Sequence, residues 1–149
     1  VSVDEDLGFL PGTLNEKMAP WTRPIFDVLG EYYQQKDIEN MLYEGVIEIS
    51  PLAYMRGRTF KNAYVIADEM QNATQNQMKM LLTRLGENSK MVVTGDLNQA
   101  DRLKDNGLVD FIDKIKGQRL DHIDAVYFDS HDIERHKAVK EVLDLYGDD

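Results

Sequence analysis

Two apolar runs of strand length, separated by a segment of helical character, constrain the fold of this chain more than any other feature of its sequence. The first run is AYVIA at residues 63–67, and the second is MVVT at residues 91–94. Between them, Thr74 and Gln77 have the spacing of a helix capping box, and an apolar stripe of helical period follows until Gly86, which we expect to end the helix. This order predicts a βαβ unit whose two strands are parallel and buried on both faces.

The remaining apolar periodicity extends the same pattern along the chain. It predicts an α/β fold in a single domain of 149 residues, with a mostly parallel sheet flanked by helices. The other predicted elements are a helix over residues 20–34, a short helix through Ile38 that ends at Gly45, strands over residues 46–49 and 125–128, and helices over residues 108–115 and 139–146.

Acidic side chains follow both of the main strands at the point where each strand ends. Asp68 and Glu69 come directly after the first strand, and the second strand runs into Thr94, Gly95 and Asp96. In an open parallel sheet, ligands bind in the crevice beyond the carboxyl ends of the strands. We therefore expect Asp68 and Asp96 to lie at the same edge of the sheet.

This arrangement of oxygen groups suits the chemistry of a nucleoside triphosphate. One acid of the pair can hold a hydrated Mg²⁺, which prefers oxygen ligands, and the other can orient a water molecule for attack. Gly95 allows close backbone approach, and Thr94 offers a hydroxyl group to a phosphate or a water molecule. The pattern is that of a Walker B motif, and Gln71 and Gln99 strengthen it against the alternative of an acidic loop without a function.

The distribution of charge points to the same part of the chain. The net charge is −10, which disfavours a non-specific nucleic-acid binder, yet residues 51–100 carry six basic and four acidic side chains. Within this third, Arg56 and Arg58 flank Gly57 and are candidate ligands for the phosphates of RNA or of a neighbouring subunit's nucleotide. A solvated loop is the alternative for these two arginines.

Composition argues against disulfide-stabilised proteins, membrane proteins and histidine metal sites. The chain has no cysteine, which excludes a disulfide framework and agrees with a cytoplasmic location. No apolar run reaches the length of a membrane span, so we expect no membrane partner. The three histidines do not have the spacing of metal ligands, and we expect them to be structural or on the surface.

Several longer segments resemble the PhoH-like family, the phosphate-starvation-inducible ATPases that are common in bacteria and phages. The segments are LGFLPG, EGVIEISPLAYMRGRTFKNAYVIADEMQN, QMKMLLTRLG and SKMVVTGDLNQAD. The resemblance covers essentially the whole chain. It implies a P-loop, RecA-like ATPase core like that of superfamily 1 helicases, with ATP and Mg²⁺ as cofactors, RNA as a partner and a ring-shaped homo-oligomer.

The resemblance also implies roles for individual residues. Asp68 would bind Mg²⁺ through water, and Glu69 would orient the attacking water. The remaining implied catalytic residues are Gln71, Asp96 and Gln99. The candidate nucleotide-binding residues already named are Thr94, Gly95, Arg56 and Arg58, and the resemblance adds Arg135 to them. Arg135 resembles a sensor or finger arginine of the family, with a charge on a surface helix as the alternative.

One element of such an ATPase is missing from the sequence. A Walker A loop requires Gly-Lys followed by Ser or Thr, and no glycine here precedes a lysine. In the family this loop lies N-terminal to the LGFLPG region, so the resemblance implies that the chain is the C-terminal part of the ATPase domain, incomplete on the N-terminal side of its sheet. The missing initiator methionine also indicates a fragment or a processed piece. We expect the isolated chain to be inactive. The alternative is a non-catalytic assembly or regulatory module that retains the fold.

Overall fold

A computed structural model describes residues 14–147, with side chains from residue 20 onward. The described residues form two compact units, one ending at Lys116 and one beginning at Gly117. The LGFLPG segment lies outside the described residues.

The first unit contains a parallel pair of strands, β1 (Tyr64–Ala67) and β2 (Lys90–Val93). Their register places Val65 opposite Met91 and Ala67 opposite Val93. The connection between the strands contains a helix, so the predicted βαβ unit is confirmed. The described part of the chain therefore has an α/β architecture with a small parallel sheet.

Among the described residues of the first unit there are four α-helices, and each of the two that pack on the sheet begins at a side-chain cap. These helices are α1 (Leu14–Leu29), α2 (Gln35–Tyr43), α3 (Gln75–Leu82) and α4 (Gly107–Ile115). At the start of α3, the Thr74 hydroxyl accepts the Gln77 N–H and the Gln77 side chain accepts the Thr74 N–H, which confirms the predicted capping box. At the start of α4, the Asn106 side chain accepts the N–H groups of Leu108 and Val109. Such caps satisfy backbone donors that have no partner inside the helix.

The core lies between one face of the sheet and the helices α3 and α4. Its fully buried members are Met70, Ala73, Met78, Leu81 and Leu108. Ala67, Met91 and Val93 of the sheet pack against this cluster from the other side. The 3₁₀ turn that carries Met70 is thus held between β1 and the helices, which fixes the chain directly after Asp68 and Glu69.

The prediction that the strands are buried on both faces is wrong for the described residues. Tyr64 and Ile66 are exposed, because α3 and α4 both pack on the face that carries Ala67. Side chains alternate between the two faces of a strand, so when helices cover one face, the side chains on the other face remain exposed to solvent. An unbroken apolar run does not show which face of the strand the helices of the same chain will cover.

The two additional predicted strands are also absent from the described residues. Residues 46–49 form a bend and an irregular segment, in which the Ile47 N–H bonds to the Met41 carbonyl at the end of α2. Residues 125–128 are not hydrogen-bonded as a strand, and Val126 and Phe128 are exposed. A strand requires a neighbour for its backbone groups, and a run of four apolar residues does not specify one.

The boundaries of the helices differ from the prediction at two places. The first helix begins at Leu14 and ends at Leu29 instead of spanning residues 20–34, and Pro24 lies inside it. Helix α3 ends before Gly86, whose close neighbour is the Phe60 carbonyl oxygen, 2.4 Å from where a Cβ atom would lie. Gly86 therefore allows the chain to pass Phe60 instead of ending the helix. The predicted stop of α2 at Gly45, which has a φ of 73°, is confirmed.

The second unit contains a short 3₁₀ turn (Ser130–Asp132) and the helix α5 (Lys137–Tyr146), which confirms the predicted final helix. His136 caps α5 by accepting the Ala138 N–H at 3.2 Å, and His131 lies 3.1 Å from the Asp129 carboxylate. Across the residues that the structure describes, no helix is both long enough and apolar enough to span a membrane.

Candidate functional site

The carboxyl ends of β1 and β2 bring the two acidic segments to one edge of the sheet. The Thr94 hydroxyl, one residue past β2, donates a hydrogen bond to Oδ1 of Asp68, one residue past β1. The backbone makes the same connection, because the Met70 N–H donates to the Thr94 carbonyl at 2.9 Å. The predicted meeting of these two strand ends is therefore confirmed.

Glu69 occupies an unusual backbone conformation at this edge. Its φ and ψ are 59° and 44°, in the left-handed region, and it precedes the 3₁₀ turn Met70–Asn72. A residue with a Cβ atom adopts this conformation at a cost of about 1 kcal/mol or more. The conformation turns the chain sharply after the strand and leaves the Glu69 side chain exposed.

Gln71 connects the two acidic segments through its side-chain amide. Its Nε2 donates to Oε2 of Glu69 at 2.6 Å, and its Oε1 accepts the Asp96 N–H at 3.3 Å. The residue is buried, with 6% of its surface exposed. Because both ends of the amide bind protein atoms, Gln71 in this structure orients Glu69 and the Asp96 backbone, and the catalytic contact predicted for it stays a prediction.

The segment after β2 forms a compact exposed turn around Asp96. The Asp96 carboxylate accepts the Asn98 N–H and the Gln99 side-chain amide, both at 2.9 Å. Gly95 permits this turn to lie close to the core, since a Cβ atom there would be 2.6 Å from Cδ2 of Leu108. The side chains of Asp96 and Gln99 are thus in direct contact.

Two asparagines that the sequence did not single out hold these turns together. The Asn72 side chain accepts the N–H groups of Asp101 and Arg102 at 2.8 and 3.2 Å. The buried Asn106 side chain donates to the Gln71 carbonyl at 2.6 Å while it caps α4. An asparagine before an apolar helical stripe is a recognisable cap signal for Asn106, whereas the long-range partners of Asn72 have no local signal.

Arg58 is paired within its own loop. Its guanidinium group forms a two-pronged ion pair with Glu48 and lies over the Phe60 ring, 5.6 Å from the centroid. The hydrogen bond from Arg58 lowers the pKa of Glu48, and the same bond raises the pKa of Arg58. Both side chains are well exposed, so the pair contributes less than about 1 kcal/mol to folding. A phosphate at Arg58 would have to compete with Glu48.

The other two candidate arginines are exposed. Arg56 lies in the same loop as Arg58, next to Gly57, whose φ is 79°. Arg135 belongs to the second unit, in the segment between the 3₁₀ turn and α5. Their predicted contacts with phosphates stay predictions.

The donor atoms at the edge suit a hydrated Mg²⁺ better than a metal held entirely by protein. Within the described residues, no group of three or more histidine, aspartate or glutamate side chains could hold a metal ion. Mg²⁺ usually keeps several waters and binds through one or two carboxylates together with substrate phosphates. Asp68 is exposed, and the bond from Thr94 engages only one of its two carboxylate oxygens.

Comparing two substitutions at Glu69 should reveal the backbone strain at the site. We expect Glu69→Gly to be more stable than Glu69→Ala by about 1 kcal/mol, because both lose the bond to Gln71 but only alanine keeps the unfavourable Cβ contacts. Chemical denaturation of the two variants measures the difference. The corresponding variants of Lys79, inside α3, are the control. Lys79→Ala should be more stable than Lys79→Gly, because alanine is favoured inside a helix. Equal stability of the two Glu69 variants would contradict the strain.

Comparisons with known proteins identify the family to which the chain belongs. The family model described as PhoH-like protein matches residues 1–147. A PhoH-like protein of Bacillus subtilis (strain 168) is 47% identical over 148 residues, covering 98% of this chain and 46% of the relative. A PhoH-like protein of Synechocystis is 43% identical over 151 residues, covering 98% of this chain and 44% of the relative.

A third relative, Protein PhoH of Escherichia coli (strain K12), is 43% identical over 153 residues, covering 99% of this chain and 42% of the relative. The chain thus spans less than half the length of the curated relatives that it matches. The family match extends over nearly every residue and includes both acidic segments at the sheet edge. The chain therefore belongs to the family of PhoH-like proteins.

Proposed function

We propose that this chain supplies the acid-bearing half of an ATP-hydrolysing site of the P-loop, RecA-like type. The observation that carries the proposal is the meeting of two acidic segments at the carboxyl edge of a parallel sheet, joined by the bond from Thr94 to Asp68. Parallel sheets place ligands in this position, and hydrolysis of a phosphoanhydride needs oxygen ligands for a cation and an acceptor for a water proton. The family membership supports the same reaction class.

The two adjacent acids take different roles in this proposal. Asp68 would hold a hydrated Mg²⁺, which on binding neutralises charge on the phosphate oxygens. Glu69 would accept a hydrogen bond from the attacking water through Oε1, because its Oε2 accepts the bond from Gln71. The left-handed backbone at Glu69 turns the chain sharply directly after Asp68. Gln71 then keeps the Glu69 carboxylate from rotating away from the edge.

Asp96 and Gln99 would respond to the terminal phosphate. Their side chains bond to each other at 2.9 Å on an exposed turn, and the Asp96 N–H bonds to the amide of Gln71. A phosphate that attracted the Gln99 amide would have to break its bond with the Asp96 carboxylate. Asp96 is joined through its backbone N–H to Gln71, which in turn holds Glu69. This connection offers a physical route between phosphate binding and the acid that orients water.

The partners of the site follow from the family resemblance. RNA is the proposed nucleic-acid partner, with Arg56 as an exposed candidate contact and Arg58 as a second one once Glu48 is displaced. The excess of basic over acidic side chains in residues 51–100 supports an anionic partner on this part of the chain. A homo-oligomeric ring, in which Arg135 reaches a neighbouring nucleotide, rests on the resemblance alone. The proposed cytoplasmic location rests on the absence of cysteine.

The phosphate-binding loop must come from elsewhere, since the 149 residues contain no Gly-Lys sequence. The test uses a hybrid protein, called the completed protein below. In it, this chain replaces the matching part of the Bacillus subtilis relative, and the rest of the relative is kept in its natural order. We expect residues 1–149 alone to release no phosphate from ATP with Mg²⁺, and the completed protein to release it. The unmatched part of the relative alone is the control, and it should be inactive.

The same assay distinguishes the alternative of an assembly or regulatory module. A completed protein that binds ATP but never hydrolyses it would favour that non-catalytic role. Robust hydrolysis by residues 1–149 alone would contradict the division of the site between two segments.

A further inference from the structure

We infer that Thr94 is a positioning residue that orients the Asp68 carboxylate for its cation, rather than a residue that touches the nucleotide. The inference rests on the proposed function, because it assumes that Asp68 faces a divalent cation. It differs from the sequence-based expectation, in which the Thr94 hydroxyl reaches a phosphate or a water molecule.

The backbone of Thr94 is fixed to the chain on both sides of Asp68. Its N–H donates to the Ala67 carbonyl at 2.9 Å, and its carbonyl accepts the Met70 N–H at 2.9 Å. These bonds continue the pairing of β1 and β2 past the last strand residues and into the 3₁₀ turn. The Cα atom of Thr94 therefore has a defined position relative to Asp68 and Glu69.

The side chain of Thr94 then acts on one atom of Asp68. A β-branched side chain has few allowed χ1 rotamers, so a fixed backbone also fixes the direction of the hydroxyl group. That hydroxyl donates its hydrogen to Oδ1 of Asp68. With Oδ1 held, the carboxylate of an exposed aspartate loses most of its rotational freedom, and Oδ2 is left for a hydrated cation.

The hydrogen bond from Thr94 should strengthen cation binding, because it orients the Asp68 carboxylate before the cation binds. Partners that orient metal ligands commonly change metal affinity by about 10- to 100-fold when they are removed. The effect should appear with the metal ion alone, without nucleotide, because the bond joins two protein side chains. A threonine that contacted only the nucleotide would leave binding of the bare ion unchanged.

The test measures Mn²⁺ binding to residues 1–149 by the electron paramagnetic resonance signal of the free ion, without nucleotide. Thr94→Val keeps the branched shape and removes the donor, and Thr94→Ser keeps the donor. We expect Thr94→Val to raise the Kd for Mn²⁺ about tenfold and Thr94→Ser to stay within about twofold of the natural chain. Thr94→Ala is a second donor-free variant in case the valine methyl group disturbs the fold, which amide NMR spectra would show.

Asp68→Asn separates failure of this inference from failure of the proposed function. If Asp68→Asn weakens binding but Thr94→Val and Thr94→Ala bind like the natural chain, the positioning role is wrong and the metal site stands. If Asp68→Asn binds Mn²⁺ as tightly as the natural chain, the assignment of Asp68 to the cation is wrong, and the role of Thr94 is overturned with it.

Discussion

Glu69→Gln in the completed protein should abolish ATP hydrolysis while ATP remains bound. Glutamine has nearly the same shape as glutamate, but it is a far weaker acceptor for the proton of an attacking water. General-base contributions are typically about 10²- to 10⁴-fold, so phosphate release should fall by at least about 100-fold. Equilibrium binding of ATP should change little, because the phosphate-binding loop and Asp68 are intact.

Two matched variants make this result specific. Glu87→Gln removes an exposed acid that follows helix α3, before β2, and should retain full activity. Asp68→Ala should lower hydrolysis and also raise the Mg²⁺ concentration needed for it, since it removes the proposed metal-side acid. Full activity of Glu69→Gln would exclude Glu69 as the group that orients water.

Gly107→Ala should destabilise the first unit more than any exposed substitution at the site. A Cβ atom at Gly107 would lie 2.2 Å from the Thr74 carbonyl oxygen and 2.9 Å from Cβ of Met78. The nearest obstacle is backbone, so α4 must move away from the start of α3 and weaken the bond from the Gly107 N–H to the Ala73 carbonyl. We expect a loss of about 3 kcal/mol, the upper part of the range for overpacking.

Denaturant unfolding of residues 1–149 measures this loss, and Gly30→Ala is the control. A Cβ atom at Gly30 comes no closer than 3.3 Å to its neighbours, so that variant should change stability by less than about 1 kcal/mol. Equal stability of the two variants would mean that α4 does not pack on the start of α3 as the structure shows.

The local parts of the fold could be predicted from the sequence because their causes are local. The capping box at Thr74 and Gln77 needs only two residues three positions apart. The parallel arrangement of β1 and β2 follows from the helix between them, and it placed Asp68 beside the segment after β2. Short-range patterns are therefore enough to predict that the two strand ends meet.

The contacts that organise the site depend on residues distant in the chain, and no local pattern encodes them. Gln71 reaches 25 residues ahead to the Asp96 N–H, and Asn72 reaches 29 ahead to that of Asp101. The left-handed backbone at Glu69 is equally hidden, because glycine or asparagine would be the usual residue there. No local pattern indicates the pairing of Arg58 with Glu48 either.

The incorrect strand predictions have a single physical cause. The apolar residues at 46–49 and 125–128 have the composition of strands, but a strand forms only beside a partner. Likewise, the apolar run of β1 predicted burial on both faces, whereas α3 and α4 cover one face only. Composition indicates a capacity for burial, and the neighbouring elements decide whether it is used.

Paramagnetic broadening by Mn²⁺ and ATP in the completed protein tests the central claim most directly, because it locates the cation without requiring turnover. Amide signals from residues 67–71 and 94–99, at the carboxyl edge of the sheet, should broaden at the lowest Mn²⁺ concentrations. Signals from Asn62 and Ser89, at the opposite end of the same strands, should broaden only at higher concentrations and serve as the internal control. Broadening that begins at Asn62 and Ser89, or that is the same at both ends, would contradict a nucleotide site at Asp68 and Glu69.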